Sequence, residues 1–297
     1  MALTKVSNSM LVQPVNRNLI INGAMQVAQR GTSATGVSNG YFTSDRWYLR
    51  RTATNVTFDS DVASGVLTCD NPSAATGFDL RHGIEWEDRF YGKTMTLTFT
   101  ATTGSGTIHV DATVVDGTIS TTTSQEFCYL TGTTTDISAY EGSGLVKNGN
   151  NYTIVFDVPS DADVSFTPDI LRIAIGNTSA ASQSITLANV KLEVGNTATP
   201  FDHRSYGEEL ALCQRYYQEL SLDPRASASS GPGSSPSLSY ALATPMRASP
   251  SADLVIGKNN GSSVNVYKPQ KTSVGISTAQ NGNINCSNCT FQLDAEL

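Results

Sequence analysis

Hydrophobic and polar residues alternate in short runs along most of residues 18–204, and this is the pattern of half-buried β-strands. Breaks rich in Gly, Asn, Asp or Ser separate the runs, as expected for tight turns. The predicted strands are residues 18–25, 46–51, 56–59, 66–69, 78–86, 93–101, 107–115, 124–130, 152–158, 170–175 and 184–194. Because no helical period interrupts them, the pattern predicts an all-β domain, a two-sheet jelly-roll sandwich.

The pattern changes to a helical one after Pro200. Ser205 and Glu208 have the S-x-x-E spacing of a capping box, so we predict a helix that begins at about Tyr206 and extends over residues 205–222. Its apolar seam, at steps of four and three, consists of Tyr206, Leu210, Cys213, Tyr217 and Leu220. A seam of this kind packs either on its own domain or against copies of itself, and we predict an oligomerisation helix.

Two further segments complete the predicted organisation. Residues 223–237 are rich in Ser, Gly and Pro and are predicted to be a linker, whereas residues 238–297 are predicted to be a small β domain. Its predicted strands are residues 238–244, 252–257, 263–268, 272–278 and 284–293. A domain this small buries little surface by itself, so trimerisation would supply the missing burial. Residues 1–17 are polar; we expect a docking segment, and a disordered end is the alternative.

Composition limits the classes of partner. The chain has 297 residues, a formal net charge of -7 and only 15% charged residues, with no cluster of Lys and Arg. Duplex binding needs basic side chains that displace counterions, so nucleic acid is not an expected partner. No run approaches the roughly 20 apolar residues of a membrane span, and no signal-peptide core is present at the start. We therefore expect synthesis in a cytoplasm and no membrane insertion.

Signatures of catalysis and of cofactor binding are weak. His82, His109 and His203 form no metal or triad motif, so we expect neither an enzyme nor a cofactor. The five cysteines are an odd number, and the single pair Cys286 and Cys289 is expected to be two thiols rather than a zinc site.

Carboxylates leave two alternatives open. Glycoside cleavage needs two carboxyl groups at a set distance. The candidates are Glu85 and Glu87, which flank Trp86, together with Asp88, Asp45 and Glu126; catalytic residues are nevertheless predicted to be absent. A turn is surrounded by Asp157, Asp161 and Asp163, whose carboxylates could bind a structural calcium ion. We predict instead that these carboxylates are solvated.

Aromatic side chains are the better candidates for ligand contact. Sugar rings stack on flat side chains while nearby polar groups bond the hydroxyls. Trp86 and Tyr91 lie beside the turn at residues 87–89, and Tyr240 and Tyr267 lie in the predicted C-terminal domain, so these four are the predicted ligand-binding residues. Trp47 is predicted to be a core residue instead.

Three segments carry a resemblance to known proteins. They read NLIINGAMQVAQRGTS with YFTSDRWYL, ANVKLEVGNTATPFDHRSYGEELALCQRYYQ, and LDAEL. These segments resemble motifs of tail fibre and other virion proteins of tailed bacteriophages, and the strand order between residues 18 and 201 is also similar to that of a carbohydrate-binding jelly roll.

The resemblance implies a homotrimeric tail fibre in the virion. Its N-terminal segment would contact other virion proteins, and it would attach to a host surface glycan. Two rivals remain: a capsid or tail decoration or connector protein that binds only other virion proteins, and a small depolymerase.

Overall fold

A computed structural model gives the structure of this chain. It describes residues 18–37, 39–51, 56–71, 77–104, 107–121, 123, 124–133, 136–139, 144–177, 183–223, 225–226, 237–259, 264–267, 269–278 and 284–297. The predicted docking segment, residues 1–17, and most of the predicted linker lie outside these residues.

Two seven-stranded antiparallel sheets form the large domain. Its strands are β1 (Ser33–Thr35), β2 (Gly40–Tyr41), β3 (Trp47–Arg51), β4 (Thr57–Asp61), β5 (Val66–Asn71), β6 (Phe78–Glu85), β7 (Thr94–Thr103), β8 (Thr107–Val115), β9 (Ser124–Thr133), β10 (Asp136–Ala139), β11 (Gly144–Asn148), β12 (Asn151–Asp157), β13 (Ile170–Asn177) and β14 (Gln183–Val194). The first sheet has the order β1-β4-β5-β14-β7-β12-β11, and the second has the order β10-β9-β8-β13-β6-β3-β2.

The core lies between the two sheets. Alternate residues of each strand point inward, such as Leu97 and Leu187 from the first sheet and Leu80 and Ile173 from the second. All four are fully buried, and so is Trp47, which confirms its predicted place in the core. The prediction of an all-β sandwich is confirmed, and the predicted strands between residues 46 and 194 are all present with small shifts at their ends.

Residues 18–25 were predicted to form a strand, and this prediction is wrong. The segment turns instead, because Asn22 and Met25 adopt left-handed backbone angles, with φ of 57° and 55°. Asn18 supplies bonds that a strand neighbour would otherwise make: its side chain accepts from Leu192 N at 3.0 Å and donates to Val190 O at 3.0 Å. The segment therefore packs onto β14 without joining a sheet.

A bulge in β14 receives this segment. The pairing of β14 with β7 shifts register between Ala188 and Lys191, and Asn189 has φ of 51°. A side chain at position 23 would place its Cβ 2.1 Å from Val190 O, so only glycine allows this approach. Gly23 therefore fixes how closely the opening segment meets the closing strand.

The helix is shorter than predicted. Helix α1 covers Tyr206–Gln214, and Ser205 caps it: Ser205 N donates to Glu208 Oε2 at 3.0 Å, and Glu208 N donates to Ser205 Oγ at 3.4 Å. The chain then leaves the helix, because Tyr217–Leu222 forms strand β15 and pairs with residues 289–294. The capping box is confirmed, but the predicted extension of the helix to residue 222 is wrong.

The predicted helical seam does not exist as one stripe. Tyr206 is 59% exposed on α1, whereas Cys213 is fully buried inside this chain. Tyr217 and Leu220 lie on β15, where Tyr217 is buried and Leu220 packs against the small C-terminal cores. Leu210 is partly buried on α1. Most of these apolar side chains are thus covered by their own chain.

The C-terminal part is built around one long strand. Its remaining strands are β16 (Arg225–Ala226), β17 (Ser237–Ala241), β18 (Ser251–Asn259), β19 (Val264–Tyr267), β20 (Ser273–Thr278) and β21 (Ile284–Asp294). Strand β21 pairs with β15, β16 and β18, whereas β17, β20 and β19 form a separate three-stranded sheet. The five predicted strands are all present. Cys289 is disulfide-bonded, so its predicted state as a thiol is wrong, whereas Cys69 and Cys213 are free thiols. Among the described residues no helix has the length and apolarity to cross a membrane.

Candidate functional site

The segments that carry the resemblance meet at one buried junction. Asn22 N donates to Glu209 Oε1 of α1 at 2.5 Å, and Asn22 Nδ2 donates to the carbonyl oxygen of Asp45 at 3.0 Å. Arg204 donates to Glu209 Oε1 at 3.0 Å and to the carbonyl oxygens of residues 18 and 20. The junction therefore joins the opening segment, the turn before β3 and the helix.

The LDAEL segment joins the same junction. The guanidinium of Arg46, fully buried, forms an ion pair with Glu296, and Arg30 Nη1 lies 3.3 Å from Glu296 Oε1. Ile119 N donates to the carbonyl oxygen of Leu297 at 3.2 Å, and Leu297 is 6% exposed. These contacts hold the C-terminal part against the sandwich, so the motif residues are structural.

Buried charges on the outer face of the second sheet form a different kind of cluster. The inward positions of β6, β8 and β13 are apolar, so the alternate positions point away from the first sheet. The outward side chains that we call the polar face are Asp79 and Arg81 of β6, His109, Asp111 and Thr113 of β8, and Arg172 of β13. Their exposed fractions range from 1% to 8%, although charged groups are almost never so deeply buried without a reason.

Asp79 is the centre of the contacts on the polar face. His109 Nε2 lies 2.7 Å from Asp79 Oδ1, while Arg81 Nη2 and Arg50 Nη1 lie 3.2 Å and 3.0 Å from Asp79 Oδ2. Burial alone would raise the pKa of this carboxyl, but the hydrogen bond from His109 and the charges of His109, Arg81 and Arg50 hold it well below its usual range. Asp79 is therefore ionised and anchors the cluster.

Small residues make room for these side chains. Gly176 of β13 lies beside Asp79 and His109 in the register of the sheet, and Ala174 lies beside Arg81 and Asp111. A Cβ at position 176 would come within 2.3 Å of His109 Cε1, so the imidazole lies directly over this glycine. Strand β13 thus contributes small residues between the charged side chains of β6 and β8.

Several polar atoms of the polar face have no partner. Within the described residues, Nε of Arg81, Nε of Arg172 and Nδ1 of His109 are buried and make no hydrogen bond. A buried polar group without a partner costs about 1–3 kcal/mol, and such a cost in a native structure calls for an explanation. Asp111 also differs from an ordinary carboxyl, because burial and the charge of Asp79 raise its pKa.

Three residues that are partly or fully exposed border the polar face. Tyr129 stacks on His109 with 6.2 Å between the ring centroids and 21° between the planes. Glu126 is exposed, and burial of its inner part together with the charge of Asp111 raises its pKa. Arg50 lies at the opposite border, with 47% of its side chain exposed. A ligand on the sheet would meet these three rim residues first.

Two of the predicted ligand-binding residues come together elsewhere. Trp86 and Tyr91 have ring centroids 4.8 Å apart in an edge-to-face arrangement, and Phe90 is 5.7 Å from Trp86. Trp86 is packed against the core, following the alternation that turns Ile84 inward. The pair therefore lies on the side of β6 opposite to the polar face.

The other two predicted residues lie in the C-terminal part. Tyr240 is on β17 and packs against the small cores that contain Ile276 and Met246. Tyr267 is on β19, and its side chain lies outside the described residues. Binding by Trp86, Tyr91, Tyr240 and Tyr267 therefore stays a prediction.

Three of the five carboxylates considered for cleavage, Glu85, Glu87 and Asp45, have structural partners. Glu85 accepts a hydrogen bond from the Tyr216 hydroxyl at 2.9 Å and lies 3.5 Å from Arg215 and 3.3 Å from Arg247. Glu87 pairs with Arg89 on the surface. Burial raises the pKa of Asp45 to about 6, against hydrogen bonds from Gln29 and the charge of Arg30. Glu85 thus links the sandwich to the C-terminal part.

The acidic turn is also bonded within the chain. Thr94 Oγ1 donates to Asp157 Oδ1 at 2.6 Å, and Ser160 Oγ donates to Asp163 Oδ2 at 2.6 Å. Nowhere in the part of the chain that the structure describes do three metal-ligating side chains come together. At this turn, Asp157 and Asp163 thus already accept hydrogen bonds from hydroxyls of the same chain, and binding of a structural calcium ion stays a prediction.

A cleft of about 370 Å³ lies between the sandwich and the C-terminal part. Its walls are Arg30, Tyr41, Phe42, Tyr217, Ser251, Asp253, Gln292 and Asp294. The guanidinium of Arg30 lies 3.7 Å from the centroid of the Tyr217 ring and 3.0 Å from Asp294, so its charge already has partners. The polar face, with its unpartnered N–H groups, is the stronger candidate.

The sequence contained a signal for the polar face that the strand pattern obscured. Asp79 and Arg81, and His109 and Asp111, are charged or titratable residues at alternate strand positions, in a chain with only 15% charged residues. Alternate polar positions were expected to be a solvated surface. Burial of these side chains distinguishes a candidate binding site from a solvated sheet surface. The sequence alone does not show which polar side chains are buried.

Comparisons with known proteins give no family. No family model and no curated protein matches the chain. Among solved structures, a family 4 carbohydrate-binding module is similar over 59% of this chain and 99% of its own, with 14% identity and a TM-score of 0.37. The enzymatically active domain of bacteriophage CBA120 tailspike protein 4 is similar over 60% of this chain and 22% of its own, with 18% identity and a TM-score of 0.36. A family 61 carbohydrate-binding module in complex with β-1,4-galactotriose has 8% identity and a TM-score of 0.32 over 61% of this chain and 100% of its own. At these values the likenesses carry no functional argument.

Proposed function

We propose that this chain is a glycan-binding protein that attaches a bacteriophage tail to the host cell surface, and that the polar face is its binding site. The observation that carries the proposal is the buried charged cluster on an outward sheet face, with N–H groups of Arg81 and Arg172 that lack partners. Structures tolerate such costs where a ligand completes the contacts.

A polyhydroxylated ligand matches the chemistry of this face. Sugar hydroxyls both donate and accept hydrogen bonds, and the face offers donors from Arg81 and Arg172 beside acceptors from Asp79 and Asp111. Tyr129 supplies a flat ring at the border, on which a sugar ring can stack. Hydrogen bonds to charged groups are stronger than those between neutral groups. Charged side chains are therefore suited to bind sugar hydroxyls, which are also hydrogen-bonded to water before binding.

The role in a virion rests on the motif resemblance. In this proposal, residues 1–17 contact other virion proteins and three copies assemble into a trimer that is made in the host cytoplasm. Three weak sites on one particle then act together, with a gain in avidity of about 10²–10⁴ over one site. Analytical ultracentrifugation should give the mass of three chains, and a single-chain species would contradict the trimer.

An array of bacterial surface glycans tests the site. We expect the wild type to bind one class of glycan, and Asp111→Asn to weaken this binding at least tenfold. Asp157→Asn makes the same change at an exposed position on the first sheet and should leave binding unchanged. Equal binding by all three proteins would show that the binding site lies outside the polar face. Absence of binding to every glycan on the array would contradict glycan binding.

Two other outcomes concern the rivals. Glu126 and Asp111 are neighbouring carboxyls with raised pKa values, which is a favourable state for a general acid in glycoside cleavage. Incubation with the bound glycan should release no new reducing ends; release would replace binding with cleavage. Electron microscopy of the virion should place the chain at a tail tip, and a position buried between other subunits would favour a connector.

A further inference from the structure

Two arginines of the polar face lie side by side without a full set of partners. Arg81 Nη1 and Arg172 Nη1 both donate to the carbonyl oxygen of Ile119, at 3.2 Å and 3.4 Å. Arg81 also contacts Asp79, but Arg172 has no carboxylate within 4.0 Å among the residues that the structure describes. One carbonyl oxygen therefore serves two buried guanidinium groups.

This arrangement is electrostatically unfavourable without a ligand. Burial and the charge of Arg172 lower the pKa of Arg81, and burial lowers the pKa of Arg172 as well. Two like charges in a region of low dielectric repel each other more than they would in water. An anion between them would remove this repulsion and supply acceptors for the unpartnered Nε atoms.

The charge of the polar face differs from that of the whole chain. Arg50, Arg81 and Arg172 lie near two buried carboxylates, Asp79 and Asp111, and the exposed Glu126, whereas the chain has a net charge of -7. The charge of Asp79 is already shared by three cationic or donor groups, and the raised pKa of Asp111 makes its negative charge less favourable. The charges of Asp111, Asp79 and Glu126 thus act on Arg172 without a close ion pair, so its guanidinium is open to one.

We infer that the polar face selects an acidic glycan, and that Arg81 and Arg172 hold the carboxylate of a uronic acid unit. This inference rests on the proposed glycan binding at the same site. A guanidinium presents a planar fork that matches a carboxylate, and charge-assisted bonds of this type are about twice as strong as neutral ones. The small side chain of Ala174 lies between Arg81 and Asp111 in the register of the sheet, where the sugar ring would pack.

The test compares matched acidic and neutral ligands. Bacterial polysaccharides that contain glucuronate or galacturonate are printed beside copies in which the carboxyl groups have been reduced to alcohols. We expect the wild type to bind the acidic copies at least tenfold more tightly than the reduced copies. Arg172→Gln should abolish this preference, and Arg172→Lys should retain part of it because the charge remains without the fork. Arg89→Gln changes an exposed arginine outside the polar face and should keep the full preference.

A thermal measurement separates this role from a structural one. Since Arg172 is buried and makes no ion pair within 4.0 Å among the described residues, Arg172→Gln should have the same melting temperature as the wild type or a higher one without glycan. A lowered melting temperature together with an intact preference for acidic copies would show a structural arginine and overturn the inference.

Two array outcomes separate the inference from the proposed function. Equal binding to acidic and reduced copies would overturn the acidic specificity and leave glycan binding in place. Absence of binding to either copy, and to neutral glycans on the same array, would oppose both.

Discussion

The buried ion pair between Arg46 and Glu296 gives the sharpest prediction about the fold. Arg46 is fully buried, and 5% of the Glu296 side chain is exposed. Arg46 has two further contacts: Nη2 donates to the carbonyl oxygen of Gly83 at 2.6 Å, and the guanidinium lies 3.5 Å from the centroid of the Tyr216 ring. Glu296→Gln keeps the shape of the side chain and removes only its charge.

The expected cost follows from burial. Removal of one partner from a buried pair costs about 3–5 kcal/mol because the other charge stays buried without compensation. A glutamine can still accept a hydrogen bond from Arg46, so we expect a loss of about 3 kcal/mol in the free energy of unfolding. At about 2.1 cal/mol/K per residue, a chain of 297 residues has an unfolding entropy of about 0.6 kcal/mol/K, so a fall in Tm of about 5 °C is expected.

Urea unfolding and calorimetry measure this loss. Glu87→Gln is the matched control, since Glu87 and Arg89 form a pair with 48% and 65% of their side chains exposed. An exposed pair contributes about 0–1 kcal/mol, so this control should stay near the wild type. If Glu296→Gln lost no more stability than Glu87→Gln, the LDAEL segment would not be held by this pair and the reasoning would be refuted.

Two further predictions concern burial. The stability of Asp45→Asn relative to the wild type should rise by up to about 3 kcal/mol between pH 4 and pH 7, because the folded-state pKa of Asp45 is about 6 and its usual value is 3.8. This relative stability should fall as the pH is lowered from 7 to 4, since the folded wild type takes up the proton first; urea unfolding that shows a constant difference over this range would contradict the assignment. Gly176→Ala should cost about 1–3 kcal/mol, because the added Cβ would lie 2.2 Å from Phe78 O and 2.3 Å from His109 Cε1. Gly207→Ala, with open space around its Cβ on α1, should instead gain up to about 1 kcal/mol, and equal effects of the two changes would contradict the packing over β13.

The strands of the sandwich could be predicted because each one follows a local rule. Alternation over β6, β8 and β13 fixes which residues face the core, and this pattern does not depend on distant contacts. The capping box at Ser205 was predictable for the same reason, since all of its atoms lie within four residues.

The end of the helix depended on a distant partner. Residues 217–222 fit a helical step through Tyr217 and Leu220, but they alternate equally well as a strand. Pairing with β21, about 70 residues further along the chain, decides between the two, and local spacing cannot reveal that pairing. The prediction of a strand at residues 18–25 was wrong for a similar reason. The side chain of Asn18 and the bulge of β14 supply the contacts that strand pairing would otherwise make.

The candidate site was hidden for a related reason. The sequence places Asp79, His109 and Arg172 on outward positions of three strands, but their distances follow from the sheet order β8-β13-β6, which brings the strands together from distant parts of the chain. Aromatic residues were the more visible candidates, yet Trp86 is turned toward the core by the same alternation. Burial of charge, known only from the fold, identified the polar face.

Proton NMR of the histidines tests the polar face most directly. The chain has three histidines: His109 on the polar face, His82 buried in the core, and His203 exposed before α1. Titration with an oligosaccharide of the glycan that the array identifies should shift the His109 Cε1 proton resonance in proportion to bound ligand and leave the other two unchanged. A stationary His109 resonance at saturation, whether or not His203 moves, would contradict the assignment of the polar face as the binding site.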